Sequence, residues 1–141
     1  MGGMALKHIM LVEDDAAIRE TVRVVLAEKG GFNLTVCASG EEALKQIVEV
    51  KPQLILLDVI MPEMDGMETF TKLQEIAEGR RIPVIFLTSR VKHSQIERYS
   101  QMGALGTIAK PFDPNTLAAN VKRLWSIYES KDMAYWKRLK D

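Results

Sequence analysis

The chain has 141 residues, which is enough for one compact domain but not for a second domain of typical size. Hydrophobic residues form 47% of the chain and charged residues 27%. This composition excludes a chain that is disordered as a whole and predicts independent folding. The 19 basic residues balance 19 acidic ones, and this balance argues against direct binding to nucleic acid or to an anionic membrane.

Two features of the sequence indicate a cellular location. Cys37 is the single cysteine, so it cannot form an internal disulfide or hold zinc alone, which favours a reducing setting and a place in the core. The longest apolar run near the N-terminus covers residues 9–12 and is too short for a signal peptide or a membrane span. We therefore expect a cytoplasmic protein without a membrane partner.

The first part of the chain contains two strand-then-helix units. Residues 7–12, which end in the apolar run 9–12, are typical of a buried strand, and they precede a helix with an apolar face at Ile18, Val22, Val25 and Leu26. Residues 32–38 predict a second strand. Ser39 has capping-box spacing and opens a second helix, whose inward face is predicted at Ala43, Leu44, Ile47 and Val48.

The rest of the chain repeats this alternation three times. The third strand, 54–57, is apolar at four consecutive positions, which indicates that both of its faces are covered. Further strands are predicted at 83–87 and 105–109. Helical spacing predicts a third helix through Met67, Phe70, Leu73 and Ala77, a fourth through Ile96, Tyr99 and Met102, and a fifth through Leu117, Val121, Leu124 and Tyr128. Strict alternation predicts a parallel five-stranded sheet in a three-layer α/β sandwich of five β-α units.

Polar and charged residues follow the predicted strands, at the edge where such sheets bind ligands. They are Glu13, Asp14, Asp15, Asp58, Thr88, Ser89 and Lys110. Several carboxylates at one sheet edge repel one another, and a hard divalent cation such as Mg²⁺ relieves that repulsion. Together with an ammonium and a hydroxyl, the cation could hold a phosphoryl group. Asp58 ends the most buried strand and is best placed to receive it.

Each of these residues also has a simple structural explanation when taken alone. Asp14 or Asp15 could cap the first helix, and Asp58 could cap a turn. Thr88 could start the fourth helix, and Lys110 could be a solvated surface residue. Their joint occurrence at successive strand ends favours a site, because helix capping does not require that set.

Four motifs, in this order and spacing, make the chain resemble the response-regulator receiver domains of two-component phosphorelays. They are Leu-Val-Glu-Asp-Asp at 11–15 followed by Arg19, Leu-Leu-Asp-Val-Ile-Met-Pro-Glu-Met-Asp-Gly at 56–66, Phe-Leu-Thr-Ser at 86–89, and Ala-Lys-Pro-Phe at 109–112. The resemblance covers nearly all of the chain. It implies a flavodoxin-like (βα)5 fold with strand order 2-1-3-4-5.

The resemblance also implies roles for the acidic residues. Asp58 is implied to be the phosphoacceptor. The metal, Mg²⁺ or Mn²⁺ in its place, is implied to be held by Glu13, Asp14, Asp58 and the backbone carbonyl of Ile60. In the loop after Asp58, we expect Asp65 to cap the third helix and Gly66 to relieve the turn.

The remaining implied roles concern the last two strands. Thr88 is implied to contact a phosphoryl oxygen, and Lys110 to pair with the phosphate, aimed by a cis bond to Pro111. Thr107 stands where many receivers place an aromatic residue that rotates inward as the threonine moves. A small threonine cannot make that swing, so switching by this route is not expected here.

The resemblance further implies the partners. A sensor histidine kinase or a histidine phosphotransfer protein would donate the phosphoryl group, and the chain would modify itself rather than act as a turnover enzyme. The surface formed by the fourth helix, fifth strand and fifth helix would then change. That change would alter binding to a downstream protein partner, or homodimerisation through this region or the C-terminal extension. No direct contact with nucleic acid is expected.

Three segments are predicted along the chain. Residues 1–6 are a disordered N-terminus or a tag remnant, 7–129 the receiver domain, and 130–141 a helical extension. The last helix and the extension carry six basic and three acidic residues from Leu117 onward, as well as two tryptophans, Trp125 and Trp136. Two interpretations of this segment are left open. It could contact a second copy or a partner, or it could be a tail that is folded back or frayed. The chain is either a stand-alone receiver or a piece of a longer regulator.

Three other functions compete with the receiver interpretation. An aspartate-nucleophile hydrolase usually has an acid two residues after the nucleophile, where this chain has Ile60. A flavodoxin-like mononucleotide carrier holds phosphate in a hydroxyl- and amide-rich loop after the first strand, where residues 13–15 are all acidic and would repel it. A degenerate receiver that serves as a constitutive scaffold would accept no phosphate, so labelling distinguishes it.

Overall fold

The computed structural model describes residues 5–89 and 93–130. Five strands are present: β1 (His8–Val12), β2 (Asn33–Cys37), β3 (Leu54–Asp58), β4 (Val84–Thr88) and β5 (Gly106–Ala109). All four pairings are parallel, and the strand order is β2-β1-β3-β4-β5. The predicted sheet and its flavodoxin-like order are confirmed. The N-terminal prediction for residues 1–4 and the extension predicted beyond residue 130 lie outside the described residues.

Helices cover both faces of the sheet. They are α1 (Ala16–Val22), which continues as a π-helical segment (Arg23–Lys29), α2 (Gly40–Val50), α3 (Gly66–Glu75), α4 (Ala77–Arg80), α5 (His93–Gln101) and α6 (Leu117–Ser130). The fourth and fifth predicted helices are therefore α5 and α6, and the short α4 is additional.

The prediction that Ala77 lies on the inward face of the third helix is wrong. The chain adopts an extended conformation at Ile76, so α3 ends there and the exposed Ala77 starts the separate helix α4. A Cβ atom at Gly79 would lie 2.6 Å from the carbonyl oxygen of Leu73. The absent side chain lets this short helix pack closely against the end of α3.

Two apolar clusters, one on each face of the sheet, form the core. Ile9, Leu11, Leu54 and Leu56 face the side covered by α1 and α6, while Met10, Val12, Ile55 and Leu57 face the other side. Alternate residues of each strand point to opposite faces, so a strand covered on both sides is apolar throughout. Every residue of β3 is buried, as its four apolar positions predicted.

The inward face predicted for the second helix needs one correction. Ala43 and Ile47 are buried and Leu44 is half-buried, but Val48 is 43% exposed. The inward-facing stripe follows the spacing i, i+4, i+7 through the buried Ala43 and Ile47 to the half-buried Val50, which packs against the core. Val48 lies to one side of this stripe and faces away from the sheet.

The described part of the C-terminal helix contributes to the core. Leu117, Val121 and Leu124 are buried, as predicted. Trp125 is also buried, and its ring lies 5.2 Å from that of the half-buried Tyr128. Trp125, one of the two tryptophans considered for a partner contact, is thus packed inside the domain.

Cys37 ends β2 and is fully buried, where burial raises the pKa of its thiol to about 12. This placement confirms the prediction of a core residue. None of the helices in the described ranges combines the length and the apolar character needed to cross a membrane.

Candidate functional site

The parallel sheet brings the polar strand-end residues to one edge. Val12 pairs with Leu57 across β1 and β3, and Asp58 pairs with Leu87 across β3 and β4. The carboxyl ends of these three strands therefore lie level with one another, at the edge where open α/β sheets bind ligands. Glu13, Asp58, Thr88 and Lys110 all follow or end strands at this edge.

The acidic loop after β1 holds its three carboxylates in three different ways. The N–H of Glu13 donates to the carbonyl of Cys37 at 3.0 Å, which extends the β1–β2 ladder, and the Glu13 side chain is fully buried. Asp14 is exposed. Asp15 caps α1, because its side chain accepts two backbone N–H bonds from the first turn, at 2.8 and 3.1 Å. Asp15 is therefore the capping residue, and Asp14 is left for another role.

Lys110 joins the two buried carboxylates. Its Nζ atom lies 3.0 Å from Glu13 Oε1 and 3.2 Å from Asp58 Oδ1. The Lys110 side chain is only 16% exposed, so the alternative of a solvated surface lysine is wrong. The Lys110–Pro111 bond is cis, as the resemblance implied. The backbone N–H of Lys110 donates to the carbonyl of Thr88 at 2.9 Å, which fixes the start of this loop to β4.

Burial and mutual proximity set the electrostatics of this cluster. Burial, followed by the hydrogen bond with Asp58, raises the pKa of Glu13 from 4.5 to about 7, although Lys110 and the N–H of Asp15 oppose the rise. Burial alone would lower the pKa of Lys110, but its hydrogen bond to Glu13 and the charges of Glu13 and Asp58 outweigh burial and raise it. The lysine thus keeps its charge near neutral pH, while Glu13 holds its proton to a higher pH than an unburied glutamic acid does.

The raised pKa of Glu13 predicts a pH-dependent stability in the absence of divalent metal. A carboxyl group whose pKa is higher in the folded than in the unfolded state stabilises the fold below its unfolded pKa, and that contribution is lost as the pH rises to about 7. Glu13→Gln keeps the uncharged form at every pH. We therefore expect the free energy of unfolding of Glu13→Gln, taken as the difference from wild type, to be on the order of 2 kcal/mol higher at about pH 8 than at about pH 5.

Urea unfolding in a chelator at both pH values measures this difference. Glu49→Gln, at an exposed position of α2, is the control and should track wild type across the range. A difference between Glu13→Gln and wild type that does not change with pH would contradict the assignment.

The donor set at this edge fits a hard divalent cation. Carboxylate oxygens of Glu13, Asp14 and Asp58 all lie within 4.8 Å of one another. Mg²⁺ takes oxygen ligands and usually binds through one or two carboxylates while it retains several waters, so an exposed Asp14 beside buried carboxylates suits it. The backbone N–H of Ile60 donates to Asp58 Oδ1 at 3.3 Å, and this contact keeps the Ile60 backbone beside the acidic cluster.

The loop between β3 and α3 is built tightly around Asp58. The N–H of Gly66 donates to the carbonyl of Val59 at 2.8 Å, and Asp65 caps α3 by accepting the N–H of Glu68 at 2.8 Å. A Cβ atom at Gly66 would collide with the carbonyl oxygen of Asp58 and would lie 2.7 Å from Val59 Cα. The cap is as predicted, but glycine is required here for close backbone approach as well as for the turn.

Gly66→Ala should therefore destabilise the protein. The added methyl group overlaps the backbone of residues 58 and 59, which cannot move without shifting β3, and overpacking of this kind costs about 1–3 kcal/mol. Urea unfolding measures the loss. Glu68→Ala, on the exposed side of the same first turn, should stay within about 0.5 kcal/mol of wild type. Equal stability of Gly66→Ala and wild type would show that the loop tolerates a side chain at this position.

Thr88 and Thr107, the residues at the two positions considered for a threonine–aromatic switch, occupy different places. Thr88 is the last residue of β4 and is fully buried, whereas α5 begins at His93, so Thr88 does not start that helix. Thr107 lies on β5 opposite Phe86 and is half-buried. The ring centroid of Phe86 lies 5.3 Å from that of Phe70 and 5.0 Å from that of Tyr99, so this part of the core is already filled by aromatic rings.

One contact at this site was not predicted from the sequence. The Nη1 atom of Arg19 donates to the carbonyl oxygens of Glu13 at 3.0 Å and Asp14 at 2.8 Å. In the sequence, Arg19 was noted only as part of the first motif that carries the resemblance. A side chain that binds backbone carbonyls leaves no periodic pattern in the sequence, so the contact became visible only in three dimensions.

Comparison with known proteins identifies similar sequences. The family model described as the response regulator receiver domain matches residues 9–122. The chain is 39% identical to the phosphate regulon transcriptional regulatory protein PhoB of Klebsiella pneumoniae, and the match covers 82% of this chain and 50% of PhoB. It is 36% identical to the transcriptional regulatory protein YvrH of Bacillus subtilis, over 88% of this chain and 52% of YvrH. The chain thus spans about half the length of these curated relatives.

Solved structures show the same architecture. The chemotaxis protein CheY4 of Vibrio cholerae superposes with a TM-score of 0.78 at 28% identity, covering 85% of this chain and 99% of that protein. The signal receiver domain of a signal transduction histidine kinase from Syntrophus aciditrophicus gives a TM-score of 0.74 at 34% identity, covering 90% of this chain and 96% of that domain.

Proposed function

The chain belongs to the response regulator receiver domain family of two-component signalling, and we propose that its Asp58 accepts a phosphoryl group in a reaction that depends on Mg²⁺. The observation that carries the proposal is the pairing of the buried Asp58 carboxylate with the Lys110 ammonium at 3.2 Å, beside the acidic residues Glu13 and Asp14. A nucleophilic carboxylate next to a cation and a metal-ligand set is suited to phosphoryl transfer.

In the proposed reaction, a carboxylate oxygen of Asp58 attacks the phosphorus of the donor in line with the leaving group. A phosphorus–oxygen bond to Asp58 forms as the phosphorus–nitrogen bond of a donor phosphohistidine breaks, and the imidazole leaves with the electron pair and takes up a proton. Lys110, already within reach of Asp58, is positioned to neutralise charge on the transferred group. Mg²⁺ held by Glu13, Asp14, Asp58 and the carbonyl of Ile60 would supply further positive charge there.

Thr88 is proposed to bind a phosphoryl oxygen once Asp58 carries the group. It ends the strand next to β3, and Lys110 is tied to its carbonyl at 2.9 Å, so a shift of Thr88 would be transmitted to the loop that carries the lysine. Phosphorylation adds about −1.5 to −2 charge, which biases an equilibrium between two loop arrangements. Thr107 does not supply an aromatic side chain for this change, so we propose that the α5–β5–α6 surface responds through backbone movement.

The proposed donors are a sensor histidine kinase, a histidine phosphotransfer protein or a small acyl phosphate. The proposed output is binding to a downstream protein, or homodimerisation, in the cytoplasm. PhoB and YvrH are named as transcriptional regulators and are about twice the length matched here, so an attached output domain is one form in which such a receiver acts. The chain is proposed to be a phosphoacceptor that modifies itself, not a turnover enzyme.

Intact-mass analysis after incubation with acetyl phosphate tests this proposal. We expect a gain of one phosphoryl group in the presence of Mg²⁺ and at least about tenfold slower labelling in a chelator. Native sizing of the same samples tests dimerisation. Absence of labelling with acetyl phosphate and with phosphorylated histidine donors, in a protein that still binds Mg²⁺, would contradict the proposal and favour a constitutive scaffold.

A further inference from the structure

Arg19 holds the acidic loop after β1 by the backbone of that loop. One nitrogen, Nη1, donates to the carbonyl oxygens of Glu13 and Asp14, at 3.0 and 2.8 Å. Both distances are those of good charge-assisted hydrogen bonds, and the two N–H groups on Nη1 suffice for the two acceptors. The half-buried guanidinium therefore fixes two consecutive peptide units.

The position of Arg19 on α1 explains its reach. Arg19 lies one turn after Asp15, to whose carbonyl its backbone N–H donates at 3.0 Å. Side chains of a helix point back toward its N-terminus, so a long side chain at this position extends over the residues that precede the helix. Asp15 anchors the end of the loop separately, through its own capping bonds to the first turn.

The two acidic side chains in the loop differ in what holds them. The Glu13 carboxylate accepts bonds from Lys110 and from the N–H of Asp15, at 3.0 and 3.1 Å. The Asp14 side chain is exposed, and within residues 5–89 and 93–130 it has no hydrogen bond or ion pair. The direction of the Asp14 side chain therefore depends on the backbone of Asp14, whose carbonyl group is held by Arg19.

We propose that Arg19 is a positioning residue that orients Asp14 for a divalent cation. The inference rests on the proposed function, in which Glu13, Asp14 and Asp58 hold the metal. A ligand group oriented before binding loses less conformational freedom when the cation binds, and this raises affinity. Groups that orient metal ligands typically contribute ten- to hundredfold in affinity. Loss of the Arg19 contacts thus lowers metal affinity without changing the reactivity of Asp58.

Two substitutions of Arg19 in the full chain test the inference. Arg19→Met removes the donors and keeps an apolar stem, while Arg19→Lys keeps the charge and a flexible donor. Mg²⁺ affinity is measured by calorimetry on metal-free protein, and the acetyl phosphate labelling rate is measured as a function of Mg²⁺ concentration. We expect the Kd and the half-saturating Mg²⁺ concentration of Arg19→Met to rise about tenfold, with a maximal rate within about twofold of wild type. Arg19→Lys should be intermediate.

Arg23→Met is the matched control. Arg23 begins the π-helical continuation of α1, and its guanidinium pairs with Glu20 and Glu28 at the surface, at 2.6 and 2.9 Å. Such exposed pairs contribute little to stability, so Arg23→Met should bind Mg²⁺ as wild type does.

The outcomes separate this inference from the proposed function. Wild-type Mg²⁺ affinity in both Arg19 variants would overturn the positioning role while leaving the proposed function intact, whereas wild-type protein that neither binds Mg²⁺ nor is labelled would contradict the proposed function itself. A maximal rate that stays low at saturating Mg²⁺ would also overturn the role, because it would place Arg19 at the reacting group. If Arg19→Met does not fold, Arg19→Lys decides: a raised Kd at an unchanged urea midpoint supports the role, and an unchanged Kd overturns it.

Discussion

Asp58→Asn should abolish phosphorylation while the fold persists. An amide is a poor nucleophile and cannot form a stable acyl phosphate, so we expect the labelling rate with acetyl phosphate and Mg²⁺ to fall at least about 100-fold, which corresponds to ~2.7 kcal/mol or more in activation free energy. Lys110 keeps its contact with Glu13 at 3.0 Å, and one of two adjacent carboxylate charges is removed. The free energy of unfolding should therefore stay within about 1 kcal/mol of wild type.

Intact-mass analysis and urea unfolding of the same preparation measure the two effects separately. Asp113→Asn is the control, because Asp113 is an exposed aspartate in the loop before α6, outside the acidic cluster, and should be labelled at the wild-type rate. Labelling of Asp58→Asn at the wild-type rate would contradict the assignment of Asp58. Loss of labelling together with loss of the fold would instead show that Asp58 is needed for structure.

Lys110→Ala should separate the stability of the site from its chemistry. In the wild-type protein the Lys110 ammonium lies 3.0 Å from Glu13 and 3.2 Å from Asp58, so its removal leaves two buried carboxyl groups without their shared cation. Removing one partner of a buried ion pair is strongly destabilising, and we expect a loss of about 2–3 kcal/mol near pH 8 in a chelator. The loss should be smaller near pH 5, because Glu13, whose pKa is raised to about 7, takes up a proton there.

Mg²⁺ should still bind to Lys110→Ala and restore part of its stability, because the three carboxylates of the proposed metal site remain. Phosphorylation should persist at saturating Mg²⁺ but no longer change the surface, since the lysine proposed to link the phosphoryl group to the loop after β5 is gone. Urea unfolding with and without Mg²⁺, and native sizing before and after labelling, measure these effects. Lys72→Ala is the control, because its pair with Glu68 is exposed and 3.7 Å long. Wild-type stability of Lys110→Ala in a chelator would contradict the account.

The site was predictable because the pattern of apolar residues in the sequence marks where each strand ends. Four apolar residues before Asp58 placed it at the end of a buried strand, and parallel pairing then fixed which other strand ends lie beside it. Glu13 and Lys110 are 97 residues apart in the chain, yet they are in contact because the topology brings their strands to one edge. The periodicity thus made the acidic residues at the strand ends accessible without coordinates, whereas the strand order was implied by the resemblance to receiver domains.

The features that the sequence did not predict depend on small local differences in backbone conformation, packing and hydrogen bonding. The end of α3 at Ile76 and the start of α4 differ from a continuous helix by one extended residue, which apolar periodicity does not register. Val48 and Val50 are both apolar, and only packing against the sheet decides which of them faces inward. The Arg19 contacts involve backbone acceptors, which every residue carries, so no residue type at positions 13 and 14 could indicate them.

The central claim is that the carboxylate of Asp58 receives the phosphoryl group, and chemical trapping locates that group directly. Borohydride reduces an acyl phosphate at the side chain to an alcohol, so the protein is labelled with acetyl phosphate and Mg²⁺, reduced, digested and sequenced by mass spectrometry. We predict a single reduced residue, at position 58, that is absent from Asp58→Asn and at least about tenfold less abundant in samples labelled for the same time in a chelator. A reduced residue at Asp14 or elsewhere, or a phosphoryl group that resists reduction on a hydroxyl or histidine side chain, would contradict the account.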